Sequence, residues 1–262
     1  MRAYSSLFVL ALSTPALGAS GTPDKPDTDS GFGVKFGYDR TVGRYGLKKD
    51  TVVTTSSVTV TYETDDYSFD VLLPVLKESG PGRVITIAGR RPVVIVGPDQ
   101  KTSGRGDATF GLTRYLLNEE DHGLDLDLGA IYKDGNASAY KGLGSGKADL
   151  SLQSAVGHSF GKFNATITGG YTFVGKEAEL GLRNAFYGSF DATYHVLASF
   201  LSVGLTYSVG GSVVKGSPSS RDGQVNVTLK PTPRSHIEIY YLKGWSSQSP
   251  DRGAGISIGC DL

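Results

Sequence analysis

The residues best placed to do chemistry in this chain are its histidines and the serine beside one of them. His158 adjoins Ser159, and His122, His195 and His236 lie elsewhere. A lipid hydrolase needs a serine hydroxyl activated by a nearby imidazole, so these residues are its only candidates. Adjacent side chains in an extended strand point to opposite faces, which would part His158 from Ser159. A second set is cationic. In the segment 77–105, Lys77, Arg83, Arg90, Arg91, Lys101 and Arg105 outnumber Glu78 and Asp99. Within it, Gly89-Arg90-Arg91-Pro92 separates two apolar runs, Val84–Ala88 and Val93–Val96. Guanidinium groups hold phosphate or carboxylate on a surface; lining a pore, they favour anions.

Other motifs do not hold. Gly142–Lys147 resembles a phosphate loop, but Lys141 stands where the first glycine is required and Ala148 replaces the hydroxyl residue. It reads as a flexible external loop. Arg105-Gly106-Asp107 matches an adhesion tripeptide by chance. No cluster of cysteine and histidine supports a metal, and no cofactor is expected. Cys260 is the only cysteine, so no disulfide can form within the chain.

These residues must be positioned by a particular kind of framework. Arg2, the apolar run Leu7–Leu12 and small residues up to Gly18 read as a cleaved signal peptide over 1–18. Residues 19–30 are small and polar, with prolines, and read as a flexible leader. Charge is balanced, with 26 basic and 26 acidic residues, which gives no ground for a nucleic-acid partner. From Gly31 to Leu262 the pattern is period two, with no convincing helical stretch. Phe163, Ala165, Ile167, Gly169, Tyr171 and Phe173, for example, alternate with Asn164, Thr166, Thr168, Gly170 and Thr172.

Strands are expected at 31–38, 52–62, 66–76, 106–117, 122–132 and 147–157, and again at 162–173, 182–193, 197–208, 222–231, 235–245 and 253–262. Most are about ten residues, the length of a tilted strand crossing a bilayer. Short turns alternate with long connections at 39–51, 77–105, 133–146, 174–181, 209–221 and 246–252. Membrane barrels have tight periplasmic turns and long outer loops. Aromatics mark both strand ends on one face. Tyr38, Tyr132, Phe173, Tyr207 and Trp245 lie beside long loops, and Tyr62, Tyr67, Phe163 and Tyr194 beside short turns. A bilayer selects two such girdles. The expected fold is all-β: a closed antiparallel transmembrane β-barrel of about 12 strands spanning 31–262.

Closure pairs every backbone group, as hydrocarbon demands, and sends the polar residues inward. That set includes Lys35, Asp70, Asp125, Asp127, Asp149, Asp191, Lys230 and Glu238, whose mixed signs suggest lumen ion pairs. A narrow, partly obstructed pore follows from a strand number between the filled and the open barrels. The long loop 77–105 has two readings. It is either a surface hairpin whose arginines meet lipopolysaccharide phosphates, or a loop folded into the lumen where Arg83, Arg90 and Arg91 form a constriction. The substrate-pathway candidates are therefore Arg83, Arg90, Arg91, Asp125, Asp127, Lys230 and Glu238. All four histidines fall at the short-turn end, the wrong rim for hydrolysis of outer-leaflet lipid.

Ser103–Leu117 (SGRGDATFGLTRYLL) resembles a signature of the outer-membrane transporter family described as similar to the meta-pathway of phenol degradation protein. There a Gly-Asp pair opens a strand ending basic-Tyr-Leu-Leu, and Tyr67–Pro74 (YSFDVLLP) is also similar. The resemblance implies passive uptake of small hydrophobic or aromatic solutes by a non-enzymatic channel. The alternatives are a structural or surface-interaction barrel and, more remotely, a lipid hydrolase. The implied partners are outer-membrane lipids, lipopolysaccharide, the solute and the barrel-assembly machinery, with the chain a monomer. Barrels of this kind commonly end in Phe; this chain ends in Leu262, on the outward register of Ile256, Ile258 and Cys260.

Overall fold

A computed structural model describes residues 30–176, 180–197 and 200–262. The expected signal peptide and leader lie outside the described residues, except Ser30, which opens the first strand. The strands are β1 (Ser30–Gly43), β2 (Thr51–Thr64), β3 (Tyr67–Ile87), β4 (Arg90–Arg105), β5 (Thr109–Leu117) and β6 (Asp125–Lys133). They continue as β7 (Asp149–Phe160), β8 (Phe163–Phe173), β9 (Ala185–Leu197), β10 (Leu201–Gly210), β11 (Ser220–Thr232), β12 (Ser235–Gly244) and β13 (Arg252–Asp261). One short helix, α1 (Glu119–His122), sits between β5 and β6.

All pairings are antiparallel, and β13 returns to pair with β1, from Gly33 opposite Asp261 to Val42 opposite Arg252. β3 pairs with β2 on one side and with β5 on the other. The closed wall therefore contains twelve strands, every one except β4, which pairs only with the upper half of β3. This is the expected closed β-barrel.

Alternation explains the wall. In β12, Ile239, Tyr241 and Lys243 are exposed while Glu238, Tyr240 and Leu242 are buried. The exposed set forms an apolar outer belt that includes Phe36, Leu152, Ile167, Leu205 and Ile258. All nine girdle aromatics are exposed on that outer surface. Leu262 and Ile256 are exposed with them, so the last strand keeps its register despite its non-aromatic end. Ile167 lies mid-strand, opposite Val156 and Phe190. Ile167→Arg is expected to cost about 2–4 kcal/mol, the penalty for a cation near the bilayer midplane, read as a lower urea midpoint for unfolding from vesicles.

Two expectations need correction. The segment 106–121 does not run straight from strand into tight turn, because Asn118 caps α1 and Gly123 closes it with φ 75°. β6 consequently begins at Asp125, not at residue 122. The segment 77–105 is not a loop either. β3 runs on to Ile87 and returns as β4, forming a long hairpin. Its ladder slips between Pro81 and Gly82, a bulge of the kind that bends a strand. Gly80 there has φ 140°, and a Cβ on it would lie 2.6 Å from the Asp50 carbonyl oxygen. Only glycine fits that bend.

Candidate functional site: a hairpin folded into the lumen

Beyond the bulge the hairpin turns inward across the long-loop end of the barrel. Its two faces are both covered. Val84 and Val94 pack with Tyr45, Val53, Leu76, Ala137 and Leu143. Ile85, Ile87 and Val93 pack with Val174, Ala185 and Val213. Ala88 at the tip meets Leu72 and Ile131, and its carbonyl accepts from Thr172 Oγ1 at 3.1 Å. Loop residues on the far side of the mouth thus hold the hairpin by apolar contact. Gly142, Leu143, Gly144 and Ser145 are buried in this packing, so Gly142–Lys147 is a packed cover and not a loose loop.

Apolar residues carry the hairpin in, and its tip delivers two cations. Arg91 Nε lies 2.8 Å from Asp222 Oδ1 and Arg91 Nη2 donates to Gln224 Oε1 at 3.0 Å. Its charge also acts on Asp39 and Asp191 on other strands. Arg90 is only 7% exposed and donates to Ser220 Oγ at 3.3 Å. Neither guanidinium is available to lipopolysaccharide, and the surface-hairpin reading is overturned. The apolar runs of both hairpin strands explain why: a hairpin standing in water would leave them exposed.

The other candidates do not join this cluster. Arg83 stays at the hairpin root beside Gly142, so it forms no constriction with Arg90 and Arg91. Asp125 is buried near the short-turn end and accepts from the Glu119 backbone N–H at 2.8 Å. Asp127 is its lumen neighbour on β6. Glu238 is buried in the lumen, where Lys35 is a charge neighbour both of it and of Asp70. Lys230 lies near Asp261 and His236, again toward the short turns.

Two further groups organise the interior. Lys133 is fully buried, 3.0 Å from Asp107 Oδ2 and 3.3 Å from Asp149 Oδ2. Asp107 also accepts from the Ala137 N–H at 2.7 Å, and Asp149 from the Gly175 N–H at 2.8 Å. Asp107 of the strand signature thus ties the 134–148 connection to the barrel rim, and Asp149 ties the connection after β8. Buried as it is, Asp107 cannot serve adhesion. The second group is steric: large inward side chains lie across glycines of the adjacent strand. Tyr240 covers Gly255, Tyr187 covers Gly170, Asn226 covers Gly204 and His236 covers Gly259, and a Cβ on any of these glycines would overlap its neighbour. Sequence inspection misses these pairs because they appear only once the cross-strand register is known.

The hydrolase candidates are not assembled. His158 Nδ1 lies 2.8 Å from Glu119 Oε1, and the Ser159 backbone N–H donates to that same oxygen at 2.8 Å. His195 Nε2 meets the Asn164 side-chain amide at 3.3 Å.

A closed twelve-strand wall, a polar lumen and a strand signature rooted in a buried ion cluster can now be set beside known proteins. A family model described as putative MetA-pathway of phenol degradation matches residues 22–260. The chain belongs to that family. An outer-membrane channel from Pseudomonas putida F1 is similar in structure, with a TM-score of 0.64 at 14% identity over 90% of this chain and 96% of that one. The NanC porin is also similar, with a TM-score of 0.54 at 9% identity over 87% of this chain and 97% of that one. At such identities the likeness is one of fold, and the fold is that of outer-membrane barrels. No curated protein matches the chain.

Proposed function

We propose that this chain is an outer-membrane channel for passive uptake of small hydrophobic or aromatic solutes, long loops outward, with no enzymatic activity of its own. The observation that carries this reading is the hairpin tip in the lumen, where Arg91 meets Asp222. It places charged groups across the polar bore, where they act on a passing solute. The family description, phenol degradation, favours aromatic cargo. Asp222 pairs with Arg91, and Asp39 and Asp191 lie within its field, so an anion preference is weaker than guanidinium groups alone would produce.

Planar-bilayer recording tests this. Arg90→Ala/Arg91→Ala is expected to raise single-channel conductance and move the reversal potential toward cations, because carboxylates then dominate the lumen around the hairpin tip. Unchanged conductance and selectivity would remove both arginines from the pathway. A second reading, a structural barrel without a solute route, is favoured by the close packing of the hairpin. It predicts no conductance in wild type and no liposome swelling with small aromatic solutes.

A further inference from the structure

The outer wall carries a charge pattern that solute passage does not use. Four neighbouring strands, β11, β12, β13 and β1, each present one exposed cation on the outward register near the long-loop end: Arg221, Lys243, Arg252 and Arg40. Lys243 stands directly opposite Arg252 in the β12–β13 ladder. Like charges placed directly opposite each other destabilise a sheet. Among the described residues, the carboxylates nearest them along the strands do not relieve them. Asp222 and Asp39 are buried on the inward face. Asp251 accepts from the Arg44 backbone N–H at 3.1 Å, in the loop above.

Aromatic residues set the depth of this patch. Tyr38 precedes Arg40 by one outward position, and Tyr241 and Trp245 flank Lys243 on the same face. Such rings lie at headgroup level, where an outward cation costs little and meets lipid phosphates. Four strands at roughly 4.8 Å spacing spread the cations over about 14 Å, wide enough for more than one phosphate. Arginine suits this task because its planar fork binds phosphate oxygens in pairs.

We infer that Arg40, Arg221, Lys243 and Arg252 form a binding site on the outer wall for the phosphorylated glycolipid of the outer leaflet. The like-charge pair Lys243–Arg252 is its centre, held together by a bridging phosphate. This site rests on the membrane orientation proposed above but not on transport, and it can be assayed without a conducting pore.

Trp245 is the only tryptophan in the chain, so its fluorescence reports on the patch. Folded protein in detergent is titrated with bis-phosphorylated lipid A, with the dephosphorylated form and with inorganic phosphate. A saturable change with the first, at least tenfold weaker with the other two, is expected. Lys243→Gln/Arg252→Gln should lose that binding while keeping the heat-modifiable migration of a folded barrel and unaltered conductance. Lys48→Gln/Lys215→Gln, which removes equal charge from exposed loops, should bind as wild type does. Equal binding by the dephosphorylated lipid, an equal response to inorganic phosphate, retained binding in the first variant, or equal loss in the second would each overturn the site. Lost conductance with intact lipid binding would count against the channel and leave the glycolipid site standing.

Discussion

Excision of residues 82–97, with the flanking strands rejoined by a short turn, is expected to raise single-channel conductance several-fold. The excised piece is the part of the hairpin that reaches across the lumen at the long-loop end, and its removal leaves the twelve wall strands and their register intact. The excision begins at the bulge, where the ladder slips between Pro81 and Gly82, so β3 still pairs with β2 through Ser79. Removing it also uncovers Val174, Ala185 and Val213, and the variant should therefore lose some thermal stability. Paired bilayer recordings and a heat-modifiability gel separate the two effects. A folded variant with wild-type conductance would show that the hairpin does not limit flow.

The second large effect is expected at Lys133. Lys133→Met leaves Asp107 and Asp149 buried without their counter-charge, and breaking a buried pair from one side costs about 3–5 kcal/mol. Both acids also hold loop backbone, through Ala137 and Gly175, so the cost should appear as faster proteolysis of the 134–148 connection as well as a lower unfolding midpoint. Lys133→Met combined with Asp107→Asn and Asp149→Asn should be milder than Lys133→Met alone, because no buried charge is then left unpaired. A single variant as stable as wild type would mean that the cluster contributes nothing.

The wall was legible in the sequence, and the lumen much less so. Period-two alternation is local, so Phe163–Phe173 or Val225–Leu229 declares its two faces without knowledge of any partner strand. The hairpin was harder because an apolar run does not say what covers it. One signal was present: Val84–Ile87 and Val93–Ile95 are continuous rather than alternating, the mark of a strand buried on both faces, unlike the wall strands. Proximity in sequence groups Arg83 with Arg90 and Arg91, yet the bulge and the length of the hairpin carry only the tip across the lumen. Asp222 and Gln224, which receive Arg91, lie 131 and 133 residues away, and no local pattern joins them. The ion cluster was half visible, since Asp107 belongs to the strand signature while Lys133 closes a different strand.

The glycines beneath Tyr240, Tyr187, Asn226 and His236 have a consequence for how such a barrel can diverge. Each vacates space on one strand so that a bulky neighbour can recline along the wall. Gly255→Ala would tip the Tyr240 ring toward the axis, while Tyr240→Ser would clear the floor it occupies. Bore is therefore adjustable residue by residue, with strand number and shear unchanged. Lineages can retune the gauge of the conduit without rebuilding its frame.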